Sequence, residues 1–154
     1  MMGIRQWLIA TAAAASLAFL GLFSYDHVKT TVISADFGGS IGDYIENYAK
    51  IRHTTGPVRI EDVCISACTM VLGLIPADRV CAEPNAKFGF HSAWQLGPFG
   101  PVFSREGTRL VWNIYPDAVQ AELIKRGWDG EGDKPHPELL YVPATRFVKE
   151  CKDG

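Results

Sequence analysis

Residues 63–91 read VCISACTMVLGLIPADRVCAEPNAKFGFH, and the rest of the chain is arranged around them. The stretch opens as an apolar strand that turns at Ser66. Residues 67–75 then form a continuous apolar run, which predicts a helix stopped by Pro76-Ala77-Asp78. Residues 79–82 and 87–91 predict two short strands separated by the turn formers Glu83-Pro84-Asn85, and the second strand ends on His91. A serine at a strand-to-helix turn and a histidine at a strand end are the two halves of a nucleophile and base pair. Spacing alone does not bring them together, so the flanking sequence has to supply the reason.

Upstream, residues 58–63 alternate Val58, Ile60 and Val63 as a strand does, and residues 29–35 (KTTVISA) predict another, rich in β-branched side chains. Between them lies Asp36-Phe37-Gly38-Gly39-Ser40, where two adjacent glycines allow positive φ and close approach of another group. A helix follows, with Ile41, Tyr44, Ile45, Tyr48 and Ala49 spaced to form one buried face. The order βαβαββ predicts an α/β layered domain with a largely parallel sheet.

Downstream, residues 92–104 (SAWQLGPFGPVFS) are too apolar for a solvated loop and predict a lid, a groove wall or a contact surface. Residues 105–126 are helical in pattern, with Pro116 expected to break or kink the helix and Asp117 to start its second half. Residues 127–137 (GWDGEGDKPHP) form a polar loop, and residues 143–149 a short final helix with proline in its first turn.

The chain has 154 residues, 47% hydrophobic and 21% charged, which suits one compact domain. A net charge of -2 and a pI near 6.1 argue against a nucleic-acid partner, since no cluster of Lys and Arg is present to meet phosphates. Residues 1–24 are a separate object. Arg5 precedes residues 7–23, WLIATAAAASLAFLGLF, an uncharged run suited to a signal peptide or a membrane-anchoring hydrophobic helix. Both readings stay open, because Ser16-Leu17-Ala18 is the one tolerable small-x-small cleavage site and lies inside the run. Arg5 favours a cytoplasmic N-terminus with everything after Tyr25 exported, leaving residues 25–154 as the folded domain. Four cysteines, Cys64, Cys68, Cys81 and Cys151, fit one or two disulfides in an exported chain. If the two strands carrying them lie side by side, Cys64 and Cys81 are the first pair to expect.

Phe37-Gly38-Gly39-Ser40, then Ser66-Ala67-Cys68, then Arg79 through Pro84-Asn85 to Phe90-His91 resemble, in order and spacing, the Clp protease proteolytic subunit family and the wider crotonase-like superfamily. The likeness is greatest to small exported, periplasmic Clp-protease-like proteins and covers about residues 32–94. In that family a glycine pair follows an early strand, a serine nucleophile starts a helix, and a histidine base ends a strand, here 25 positions after the serine. The resemblance implies a Clp-protease/crotonase-like layered fold and a serine hydrolase acting on peptide or protein substrates without a cofactor. It also implies exposure to the periplasm, either anchored in the inner membrane or free after signal cleavage, and assembly into homo-oligomers. Ser66 would attack, His91 would take its proton, and the backbone N–H groups of Gly38 or Gly39 and of Ala67 would line an oxyanion hole. The family's orienting aspartate falls on Leu139 here; Glu138 and Asp133 are the nearby candidates for a third acid, and a Ser-His dyad with no acid is the remaining alternative.

Other readings compete at the same residues. Ser66 is also placed to cap the helix that follows it, and Gly38-Gly39 to form a turn with no guest. Lys87 would replace His91 in a serine and lysine pair, Cys64 or Cys68 would replace Ser66 as nucleophile, and Cys64, Cys68 and His91 form at best a weak zinc motif, so no metal is expected. His27, His53 and His136 lie in flanking or loop segments and are assigned no chemistry. A non-catalytic domain binding a peptide or partner through the glycine turn and residues 93–103 is the main rival. An acyl-CoA enzyme of the same superfamily is the second, disfavoured by export.

Overall fold

The computed structural model describes residues 29–128 and 134–152. The expected segment 1–24, with its signal or anchor, lies outside the described residues, as does Asp133. The fold is mixed α/β. Strands β1 (Thr31–Ile33), β2 (Val58–Ile60), β4 (Val80–Ala82) and β9 (Lys149–Glu150) form a wholly parallel sheet in the order β1-β2-β4-β9. Strands β3 (Val63–Ile65), β5 (Lys87–Phe90) and β8 (Leu140–Pro143) form a second sheet, with β3 parallel and β8 antiparallel to the central β5.

The single strand expected over residues 58–63 is thus two strands in different sheets. Glu61 and Asp62 make the crossing: Glu61 N–H still bonds to Ile33 of the first sheet, while Asp62 carbonyl already accepts from Lys87 of the second. Val58 and Ile60 are fully buried with Arg59 less so between them, the alternation of a strand with one face on the core. The core itself is built from Val58, Ile60, Val80, Phe88, Phe90, Val142 and Leu123, with the Phe147 ring tilted against Phe88 and edge to face with Phe90.

Helix α1 (Ile41–Arg52) starts where Ser40 Oγ accepts the Asp43 N–H and packs on the segment after β3. Its C-terminal end is held by Arg79, whose guanidinium donates to the carbonyls of Ile51, Arg52 and Gly56. Ile51 and Arg52 close the helix and Gly56 follows it, so the cation sits at the negative end of the helix dipole. The helix expected over residues 67–75 divides into a 3-10 turn, Ser66–Met70, and a short α2 (Val71–Leu74). The Thr69 hydroxyl bonds back to the Ser66 carbonyl at 2.5 Å and tightens that turn.

Residues 92–104 form a hairpin of β6 (Trp94–Gly97) and β7 (Gly100–Phe103), with Leu96 and Phe99 exposed at its tip. Helices α3 (Arg105–Ile114) and α4 (Asp117–Lys125) meet at Pro116, the expected break. The expected final helix shrinks to the 3-10 turn Ala144–Arg146 between β8 and β9, because pairing with β5 and β4 claims the backbone on either side. Glu122 on α4 bridges Arg126 at 2.7 Å and Arg146 at 3.2 Å, tying the helix to that turn. The Arg126 hydrogen bond holds the Glu122 carboxyl below its ordinary pKa; burial opposes this and Arg146 adds to it. A carboxyl lowered on folding adds stability above its unfolded pKa and loses it as pH falls through the folded value. Glu122→Gln should therefore lower the urea midpoint at pH 7, with the gap to the parent protein closing as acidification passes below the ordinary carboxylate range; a gap independent of pH refutes this role.

Two disulfides are present, Cys64–Cys68 and Cys81–Cys151. The expected Cys64–Cys81 pair is overturned, because the strands that carry them lie in different sheets: β3 neighbours β5, whereas β4 neighbours β2 and β9. β9 pairs Glu150 with Ala82 and so sets Cys151 beside Cys81, 4.9 Å between Cα atoms. Two disulfides point to an oxidising environment. Among the described residues no helix is long and apolar enough to cross a membrane.

Candidate functional site

The site begins where β1 and β3 touch. Beyond Ile33 the first strand leaves its sheet, and Asp36 bridges to Cys64: Asp36 N–H bonds to the Val63 carbonyl at 2.9 Å and Ile65 N–H to the Asp36 carbonyl at 2.8 Å. That bridge carries Phe37-Gly38-Gly39 over the end of β3. Ser66 has φ +59°, a left-handed conformation rare for a side-chain-bearing residue, and Gly38 opposite it has φ +82°. A Cβ on Gly38 would fall 2.6 Å from Ser66 Cβ and 2.7 Å from the Ile65 carbonyl oxygen. Only glycine fits there. Among the described residues the two non-glycine positions with positive φ, Ala35 and Ser66, both flank this contact, and strain of that kind gathers where function over-determines the backbone.

Helix α1 pins both arms of the contact. Asp36 Oδ1 accepts the Gly38 N–H at 2.9 Å and a short hydrogen bond from the Tyr44 hydroxyl. One turn on, the Tyr48 hydroxyl donates to the Cys68 carbonyl at 2.8 Å, and the two tyrosine rings meet edge to face. Burial raises both phenols above their ordinary pKa, with the Asp36 carboxylate adding to the shift, so they remain proton donors. On the other side, buried Thr69 links the Ser66 carbonyl to the Tyr115 hydroxyl of the α3 end at 2.6 Å.

The Ser66 hydroxyl is free of this scaffolding. Its turn is entered from Ile65 without a side-chain cap, and among the described residues no hydrogen bond occupies Ser66 Oγ. Ser40 and Ser104, by contrast, spend their hydroxyls on capping α1 and α3. The capping reading of Ser66 is set aside.

β3 and β5 run parallel with Ile65 level with Gly89, so Ser66 and His91 leave the carboxyl ends of neighbouring strands. The two side chains are not hydrogen-bonded to each other. His91 Nδ1 lies 2.7 Å from the Ser92 carbonyl. A carbonyl only accepts, so this contact requires the proton on Nδ1 and leaves Nε2 as the lone-pair nitrogen. The imidazole borders a narrow slot walled by Thr108, Val111, Trp112, Tyr115 and Trp128.

Neither a protein-family model nor a curated protein sequence matches the chain.

The remaining candidates sort by position. Gly39 and Ala67 flank the Ser66 contact with N–H groups that no hydrogen bond among the described residues engages, whereas the Gly38 N–H is committed to Asp36, which removes Gly38 as an oxyanion donor. Its part is the close approach. Glu138 is exposed and lines a neighbouring cleft that shares Trp128 with the His91 slot, while the group on His91 Nδ1 is the Ser92 carbonyl rather than a carboxylate. Lys87 starts β5 level with Val63, at the opposite end of the strand from His91. Cys64 and Cys68 are bonded to each other, which removes both as thiolate nucleophiles or zinc ligands.

Sequence reasoning missed Asp36, Tyr44, Tyr48, Thr69 and Ser92. Asp36 was findable, since Asp two residues before a glycine is a common Asx-turn signal. Ser92 was not: it is buried, bonds through both its backbone N–H and its hydroxyl to His136, and so ties residues 134–137 to the strand end that carries His91.

Proposed function

We propose that this domain is a serine hydrolase of Clp-protease/crotonase-like fold that cleaves peptide bonds in an exported setting. The observation that carries the reading is Ser66: left-handed, engaged in no cap, closely covered by Gly38, and just beyond the end of a strand parallel to the one that His91 follows. A nucleophilic serine held at a strained strand-to-helix turn exposes its oxygen beyond the sheet edge. Ser66 Oγ attacks the substrate carbonyl carbon and its proton passes to His91 Nε2. The same proton then goes to the departing amine, and water hydrolyses the acyl-enzyme by the reverse relay. The N–H groups of Gly39 and Ala67 are the proposed donors to the developing oxyanion, each contributing on the order of 3 kcal/mol in sites of this kind.

A carbonyl on Nδ1 fixes the tautomer but carries no negative charge to stabilise the imidazolium, so slow turnover is expected. The disulfides fit export, and the apolar residues 7–23 would hold the domain at the outer face of the inner membrane or be cleaved to release it to the periplasm. The exposed apolar tip of the β6–β7 hairpin favours the second reading, a non-catalytic domain that binds peptides or a partner subunit. Reaction with a fluorophosphonate probe separates the two. Labelling of the parent protein that vanishes in Ser66→Ala and falls at least a hundredfold in His91→Ala supports the hydrolase; equal labelling of parent and Ser66→Ala, or none in either, leaves the binding reading.

A further inference from the structure

The two cysteines of the sequence C-I-S-A-C lie two residues on either side of Ser66, and they are bonded to each other. We propose that the Cys64–Cys68 disulfide is the positioning element for Ser66, so that the serine is reactive only in the oxidised chain. The inference rests on Ser66 being the nucleophile. It is carried by what each sulfur is attached to. Cys64 is the residue bridged to Asp36, whose carboxylate holds the Gly38 turn, and Cys68 is the residue whose carbonyl Tyr48 holds from α1. The bond therefore closes the Ser66 turn across its two ends, one bridged to Asp36 beneath the Gly38 turn and the other held by Tyr48, and so holds Ser66 against Gly38 at φ +59°. A left-handed serine is disfavoured by its own sterics, and nothing in its own side chain offsets this. With the link open, the turn is free to relax to an ordinary helical start, and the hydroxyl loses its place over the sheet edge.

The second disulfide differs in kind. Cys81–Cys151 spans 70 residues and joins β4 to the chain end after β9, away from the Ser66 turn, where it constrains the unfolded chain. Cys64–Cys68 closes a loop of separation four, too short to remove much chain entropy, so its value lies in local geometry. Both its cysteines are fully buried, and a reductant reaches the bond only when the turn opens. The device therefore acts at maturation. In a reducing compartment a dithiol delivers two electrons and two protons, the S–S bond breaks into two thiols, and the dithiol becomes a disulfide. After export a disulfide-bearing oxidant reverses the exchange, and the serine becomes competent.

The test uses the full chain, made in an oxidising compartment, and compares the second-order rate of fluorophosphonate labelling with the urea midpoint. Cys64→Ala/Cys68→Ala should label at least tenfold more slowly. Cys81→Ala/Cys151→Ala should label within twofold of the parent even as its urea midpoint falls further. Tyr48→Phe, which keeps both disulfides, should label three- to tenfold more slowly, and it decides the matter if the first variant does not fold. Parent-like labelling of Cys64→Ala/Cys68→Ala overturns the inference while leaving the hydrolase standing, as does parent-like labelling of Tyr48→Phe where that variant decides. Rate losses that merely follow the loss of stability in both double variants also overturn it. No labelling of the oxidised parent removes the hydrolase first and this inference with it.

Discussion

Gly38→Ala should abolish detectable Ser66 labelling and destabilise the domain by about 2–5 kcal/mol, the sum of about 1–2 for a left-handed alanine and about 1–3 for overpacking. The added methyl would sit 2.6 Å from Ser66 Cβ, 2.7 Å from the Ile65 carbonyl oxygen and 3.1 Å from the Ala67 nitrogen. None of these is the end of a flexible chain. The glycine turn cannot retreat either, because Asp36 holds it on one side through the Gly38 N–H and on the other through β3. Relief must come from the Ser66 turn itself, so the Ser66 hydroxyl moves whatever else yields. Urea unfolding and labelling rate measured on the same protein check both halves, and a stable variant that labels normally would show that the contact is looser than 2.6 Å.

Gly73→Ala is the second large effect, and its sign separates two arguments. Gly73 lies inside α2, where intrinsic helix propensity favours alanine by about 1 kcal/mol. Tertiary packing says the opposite. An added Cβ would lie 1.7 Å from the Ile114 carbonyl oxygen at the end of α3, inside any tolerable contact. Backbone faces backbone, so α2 and α3 must part, and α3 brings Tyr115 to Thr69 and thence to the Ser66 carbonyl. A loss of about 3 kcal/mol or more is expected, a large part of the roughly 5–15 kcal/mol that holds an ordinary domain together. A raised urea midpoint would mean that propensity had won and that the helices are further apart than this packing requires.

Much of this architecture was legible along the chain, because local rules decide it. Strand, glycine turn and amphipathic helix over residues 31–52 follow from β-branching, paired glycines and the spacing of Ile41, Tyr44, Ile45 and Tyr48. The Pro116 break follows from a ring that cannot continue a helix. Ser66 at the end of one strand and His91 at the end of another were readable for the same reason. The division of residues 58–65 between two sheets was not, since an apolar β-branched run looks alike whichever sheet accepts it. β8 was missed because Leu140-Tyr141-Val142-Pro143 becomes a strand only by pairing with β5.

By itself the sequence determined the mixed α/β class and the residues on which the proposed chemistry rests: one glycine turn, one serine at a strand end, one histidine at another. Tertiary structure alone decided how they are used. Sheet membership chose Cys68 rather than Cys81 as the partner of Cys64, a choice of neighbours that no spacing encodes. Three-dimensional approach gave Gly38 a steric role in place of a donating one, and gave the orientation of His91 to the Ser92 carbonyl instead of Glu138. Hydrogen bonds and clashes depend on ångström distances between residues far apart in the chain, and those distances exist only once the two sheets have met at Asp36 and Cys64.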